Sequence, residues 1–226
     1  MDMTFDYILK TENIIKTYHS GGVDFKALDD ISINIEAGEF VMITGRNSSG
    51  KSTLLHQLAL LDSPDSGEVI VEGKKTSHLH EKVRMDLRLS QLGYIFQEYA
   101  LIAELTALEN VMLPAMMLTS SKIAKKKAIE LLTKIGLKSK YKRLPSELSG
   151  GEQQKVAIAR ALINDPRIIF ADEPTANLDT IASKDVLEIF KLLNDEGITI
   201  VMITHEPEEL VYASRIIQIS DGKLVL

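Results

Sequence analysis

Phe40-Val41-Met42-Ile43-Thr44-Gly45-Arg46-Asn47-Ser48-Ser49-Gly50-Lys51-Ser52 decides the fold. Phe40–Ile43 is apolar at every position, the pattern of a strand covered on both faces. Gly45 to Ser52 fits G-x-x-x-x-G-K-[ST], and apolar residues at helical spacing follow over Lys51–Leu61. Strand, glycine loop and helix together form the context that a phosphate cradle needs. The loop and helix amides point at phosphate oxygens, and glycine lets the backbone approach closely. Lys51 adds a point charge near the β/γ-phosphates, and the Ser52 hydroxyl suits Mg²⁺. These residues predict a nucleoside triphosphate ligand.

Outward from the loop, strand and helix patterns alternate. Strands are expected at Ile31–Ile35, Glu68–Val71, Gly93–Phe96, Arg167–Phe170, Ile198–Thr204 and Ile216–Ser220. Helices are expected at Ser121–Ile135, Gly151–Ile163 and Thr180–Glu196. Gly21-Gly22, Pro64–Gly67, Gly73, Asp165-Pro166, Gly197 and Asp221-Gly222 punctuate them. The run Ile168–Ala171 ends in Asp172-Glu173, which delivers Asp172 to the carboxyl edge of a sheet, where ligands bind. Asp172 can hold Mg²⁺ there. Glu173 faces the other way if the pleat continues, and can polarise a water for attack on a phosphate.

Composition bounds the rest. The chain has 226 residues, 45 % hydrophobic and 26 % charged, with no cysteine. It needs no disulfides for its core and carries no thiolate chemistry. Lys plus Arg is 26 against 32 Asp plus Glu, a net charge of −6, which argues against non-specific nucleic-acid or anionic-lipid binding. Met1 to Asp6 lacks the pattern of a secretory signal. The apolar stretch Leu101–Leu118 holds Glu104, Glu109, Asn110 and Pro114, so it does not read as a membrane span. Lys125-Lys126-Lys127 reads as a solvated helix face. His78 and His80 read as surface-loop residues and not a metal site, and His19 and His56 carry no partner signal.

Leu148-Ser149-Gly150-Gly151-Glu152, followed by Gln153-Gln154-Lys155-Val156-Ala157-Ile158-Ala159-Arg160, resembles the signature of ATP-binding-cassette ATPases. Ser149 and Glu152 also match an ordinary capping box, but that does not explain two glycines at a helix start. The resemblance covers essentially the whole chain. It implies an α/β P-loop NTPase fold with a mainly parallel sheet, an N-terminal antiparallel β subdomain and a helical insertion. The expected division is a core of residues 1–96 and 161–226 and a helical signature part of 97–160.

The resemblance also implies the site. Gly45, Arg46, Asn47, Ser48, Ser49, Gly50, Lys51, Ser52 and Thr53 hold the phosphates of ATP. Tyr18 stacks on adenine. Ser52, Gln97 and Asp172 meet Mg²⁺. Glu173, His205 and Lys51 are catalytic, with His205 contacting the γ-phosphate. Ser149, Gly150 and Gly151 close on the ATP of a second copy in a head-to-tail homodimer, and Asn177, Leu178 and Asp179 touch that copy. Ser48 replaces a common glycine and Lys155 a common arginine.

The resemblance extends to the branch serving lipoprotein release, macrolide export and peptide resistance. Leu61-Asp62-Ser63-Pro64-Asp65-Ser66-Gly67, Leu105–Val111 and Leu113-Pro114 carry it. It implies permease partners, a place on the inner face of the cell membrane through that permease, and no nucleic acid. The alternatives are a nutrient-importer ATPase, which often carries a C-terminal regulatory domain, and a soluble cassette protein. A P-loop kinase or GTPase lacks the signature, and no Asn-Lys-x-Asp is present.

Overall fold

The computed structural model describes residues 7–225, so the reading of Met1 to Asp6 lies outside the described residues. β1 (Leu9–Ser20) and β2 (Val23–Ile31) form an antiparallel hairpin. Gly21 and Gly22 turn it with φ of 58° and 81°, the left-handed pair that a two-residue hairpin turn requires. β1 pairs further with β3 (Asn34–Ile35) and β5 (Ser66–Val71), and β5 with β6 (Lys74–Lys75). This is the antiparallel sheet.

The strand expected over Ile31–Ile35 is thus divided between the end of β2 and β3. Side chains take over its ladder bonds. Ser32 Oγ accepts from the Asn13 amide at 2.8 Å, and Thr11 Oγ1 accepts from the Ile33 amide at 3.0 Å.

The second sheet contains β4 (Phe40–Thr44), β7 (Leu92–Ile95), β8 (Ile168–Asp172), β9 (Thr199–Ile203), β10 (Arg215–Ser220) and β11 (Lys223–Val225). Its order is β11-β10-β4-β9-β8-β7, parallel from β10 through β7, with β11 antiparallel at one edge. The helices are α1 (Lys51–Leu58), α2 (Glu81–Gln91), α3 (Ala107–Met116), α4 (Ser121–Lys134), α5 (Gly150–Leu162) and α6 (Thr180–Asp195).

Alternation along the parallel strands splits the core. Val41, Ile43, Phe170 and Val201 face the α1 side with Leu54 and Leu58. Phe40, Met42, Ile169 and Met202 face the other side with Ile158 of α5 and Phe190 of α6. A third apolar cluster, including Val111, Ala128, Leu132 and Val156, joins α3, α4 and α5. Lys125 and Lys126 are exposed on α4, as a solvated face should be. Among the described residues, no helix is long and apolar enough to cross a membrane.

Candidate functional site

The parallel sheet brings the ends of β4, β7, β8 and β9 to one edge. The loop from Gly45 to Gly50 follows β4 and opens into α1. Gly45 and Gly50 are required sterically. A Cβ at Gly45 would stand 2.1 Å from the Ile219 carbonyl oxygen, and one at Gly50 would stand 2.3 Å from that of Ala27. Gly50 caps α1 with φ 105° and no side-chain bond, so the first-turn amides stay free for an anion. Lys51 is 6 % exposed. Its ammonium donates to the carbonyls of Gly45 at 3.0 Å and Arg46 at 2.9 Å, so the loop wraps its own cation.

Ser48 has φ 60°. A left-handed residue with a Cβ costs about 1 kcal/mol or more. Ser48→Gly is therefore expected to relax the loop and tighten ATP binding roughly fivefold. Calorimetric titration with Mg·ATP checks this, and unchanged affinity would sink it.

β8 carries Asp172 to the same edge, 9 % exposed. Ser52 Oγ donates to its Oδ1 at 3.2 Å. The pleat does not continue beyond it. Glu173 takes φ 44°, so the chain turns sharply after Asp172, and the expectation that Glu173 points away by simple alternation is corrected. The turn aims its carboxylate at two other strand ends. Gln97 Nε2, after β7, donates to Glu173 Oε2 at 3.2 Å. His205 Nδ1, after β9, lies 3.5 Å from the same oxygen. Hard oxygen donors at Ser52 and Asp172, with the Gln97 amide oxygen left free by this bonding, suit Mg²⁺.

Burial raises the Asp172 carboxyl above its ordinary value of 3.8; the Ser52 hydrogen bond and the charges of His56 and Lys51 oppose this, and Glu173 adds to it. The sign follows. The folded chain holds this proton more tightly than the unfolded one. Stability is retained at low pH and is lost as pH rises through the folded value. At neutral pH the ionised carboxylate opposes folding until a cation meets it. Asp172→Asn should therefore melt higher than the parent without nucleotide at pH 7. The advantage should narrow as pH falls toward 3.8. Adding Mg²⁺ to ATP should stabilise the parent and leave the variant unmoved. Melting curves decide it, and a variant that melts lower at pH 7 would contradict the argument.

Ser149 caps α5. Its hydroxyl accepts from the Glu152 amide, and Glu152 Oε2 accepts from the Ser149 amide at 3.0 Å. The capping box is real, and it leaves the hydroxyl proton free to donate outward. A Cβ at Gly150 would meet the Tyr99 hydroxyl at 3.1 Å and Leu178 Cδ2 at 3.4 Å, so the Asn177–Asp179 loop lies against this helix start. Asp179 caps α6, accepting from Ile181 and Ala182, and Asn177 reaches the Gln97 carbonyl at 3.4 Å. Among the described residues, no hydrogen bond joins Ser149, Gly150 or Gly151 to Gly45–Thr53. Lys155 pairs with Asp185 of α6 at 3.0 Å.

Tyr18 is partly engaged elsewhere. Its hydroxyl donates to Asp62 at 3.3 Å, and Lys16 Nζ lies 5.5 Å from its ring centre. The aromatic that lines the pocket beside the phosphate loop is Phe25, with Ser48, Gly50, Lys51, Ser52 and Thr53. The sequence offered no sign of it, since it sits in a mostly polar run. Thr204 and Glu209 were missed too. Thr204 donates to the buried Glu209 carboxylate at 2.6 Å and accepts from the Glu206 amide at 3.0 Å, which fixes the turn carrying His205. Arg160 of α5 donates to the carbonyls of Tyr99, at 2.8 Å, and Ala100. Those two residues hold φ of 59° and 50° just after Gln97.

The ABC transporter family profile matches residues 28–176. The chain belongs to this family. The cassette is 48 % identical over 219 residues to the lipoprotein-releasing system ATP-binding protein LolD of Aquifex aeolicus, covering 96 % of each chain. It is 42 % identical over 218 residues to the macrolide export ATP-binding/permease protein MacB of Chlorobaculum tepidum. That match takes in 96 % of the cassette and 34 % of MacB, so the cassette spans about a third of that relative. A solved dimer of the ATP-binding cassette MJ0796, in a post-hydrolysis state with ADP and Pi, superposes with a TM-score of 0.90 at 40 % identity, covering 96 % of this chain and 97 % of that one. The cassette is therefore an ATP-binding and ATP-hydrolysing protein of this fold.

Proposed function

We propose that the cassette is the ATPase subunit of a membrane export or extraction complex, on the inner face of the membrane through a separate permease. The observation that carries its chemistry is the pair of contacts, 3.2 and 3.5 Å, tying Glu173 to Gln97 and His205. Lys51 and the amides of Gly45 to Thr53 bind the ATP phosphates. Ser52, Asp172 and the Gln97 amide oxygen would hold Mg²⁺, which neutralises phosphate charge for phosphoryl transfer. Glu173 Oε2 accepts the proton of the attacking water, and His205 holds that water in line. Tyr18 meets the base. Ser149, Gly150 and Gly151 of a second copy close on the γ-phosphate, with Asn177, Leu178 and Asp179 at the seam. Hydrolysis opens the pair, and residues 97–160 pass the motion to the permease. The cargo in this reading is lipoprotein, peptide or drug, and the likeness to LolD and MacB supports the lipoprotein and macrolide classes among these.

Affinity purification of the tagged chain from gently solubilised native membranes with Mg·ATP tests the transport reading. A permease with few spans and a large outer domain supports it. A many-span permease with a solute-binding protein makes the chain an importer subunit. Recovery of soluble proteins or nucleic acid alone, with the tag shown to be harmless, removes the transport role.

A further inference from the structure

The His205 side chain is 46 % exposed, so packing does not set its orientation. Its ring lies between two carboxylates, with Nδ1 3.5 Å from Glu173 Oε2 and Nε2 3.1 Å from Glu206 Oε1. The aim of the ring therefore depends on the backbone beneath it, and that backbone is fixed on both sides. The Thr204 amide donates to the Ile43 carbonyl at 3.2 Å, near the end of the strand that leads into the phosphate loop. The Glu206 amide donates to Thr204 Oγ1 at 3.0 Å. A hydroxyl rotates to suit its partners and can offer either its proton or its lone pairs. Glu209 removes that freedom. Its Oε2 takes the Thr204 proton at 2.6 Å, which leaves a lone pair turned toward Glu206.

Stability alone does not explain a carboxylate at this place. Glu209 projects from a short 3₁₀ helix, Pro207–Tyr212, and is 6 % exposed, and Thr204 beside it is 2 % exposed. Among the described residues, Glu209 forms no ion pair, and Thr204 is the side chain that hydrogen-bonds its carboxylate. A buried carboxylate without a cation opposes folding, and an apolar pair of the same shape would fill the space as well. We propose that Glu209, acting through Thr204, is a positioning residue for ATP hydrolysis that sets turnover by aiming His205. This rests on the reading of His205 as the residue that holds the attacking water.

Thr204→Val combined with Glu209→Leu removes both partners and keeps their bulk. The expected result is a melting temperature and an Mg·ATP dissociation constant at the parent's level, with kcat about tenfold lower. Glu209→Gln should keep most of the turnover, because its amide oxygen still accepts the Thr204 proton. In a His205→Ala chain, followed under single-turnover conditions, the same pair of changes should cost nothing further, since no ring is left to aim. A loss of the same size in that background would overturn the proposal. So would parent-level kcat in the paired variant, or nucleotide binding that weakens in step with turnover. Thr204→Val alone, which loses only the hydroxyl, decides the same points if the paired variant does not fold. Parent-level turnover in His205→Ala itself would instead take His205 out of the reaction, and the proposal would fall with the reading beneath it.

Discussion

Glu173→Gln is expected to bind Mg·ATP as the parent does and to lose about 10²–10⁴-fold in turnover. The substitution keeps the shape of the side chain. Gln97 can still donate to the new amide oxygen, so the 3.2 Å contact survives. What disappears is the carboxylate that accepts the proton at that point. An amide cannot take a proton from water near neutral pH. The ground-state contacts proposed for the triphosphate run through Gly45 to Thr53 and Ser149 to Gly151, none of which changes. A loss confined to turnover identifies an interaction made in the transition state. Bound ATP then persists, and so does the closed pair it holds together. Size-exclusion chromatography with ATP should show dimer for the variant where the parent returns to monomer as it hydrolyses. Parent-level turnover in the variant would take Glu173 out of the role, and the proton acceptor would have to be sought elsewhere at the sheet edge.

The sequence carried the central strands and the phosphate loop because each is a contiguous signal. Phe40–Thr44, Ile168–Asp172 and Thr199–Ile203 are buried on both faces, so an unbroken apolar run is their physical signature. The loop is legible because its glycines are demanded by backbone contacts at 2.1 and 2.3 Å that no side chain tolerates. The hairpin of β1 and β2 was not read from periodicity. Register shifts at Ile14/Lys16 and Lys16/Thr17 break its alternation, and the first four residues of β2 are exposed. α2 was missed for a related reason. Leu87 is its one buried residue, and its apolar residues Val83, Met85, Leu87 and Leu89 alternate with polar ones as a strand's would. The convergence of Gln97, Glu173 and His205 is a tertiary fact. It depends on the order β4-β9-β8-β7 and on the left-handed turn at Glu173. Neither is written in local pattern. The carboxylates ending the run Ile168–Ala171 pointed to Glu173 beforehand, and the resemblance to cassette ATPases pointed to Gln97 and His205.

Lys51→Ala should raise the Mg·ATP dissociation constant by about 10² or more, because its ammonium has two tasks. Hydrogen bonds from a charged donor contribute about 1.5–3 kcal/mol each. Lys51 makes two of them, to the Gly45 and Arg46 carbonyls, at 6 % exposure. Removing it leaves those carbonyls unpartnered beneath the ligand. It also removes the buried cation of the loop, so the triphosphate loses its buried charge partner there. Both losses fall on ground-state binding, the opposite of the Glu173 case. The variant should therefore fail to form the ATP-held pair at all. Comparing the variants separates the two roles: Glu173→Gln should trap a nucleotide-bound dimer, and Lys51→Ala should remain monomeric at ATP concentrations that saturate the parent. Lys51→Arg refines the test. It keeps the charge but spreads it over a wider planar fork in a space shaped for a compact ammonium. Intermediate affinity would assign part of the effect to charge. Affinity as low as alanine's would assign it to fit within the loop. Unchanged ATP affinity in Lys51→Ala would mean that the loop and helix amides suffice, and that the ammonium serves the folded loop and not the nucleotide.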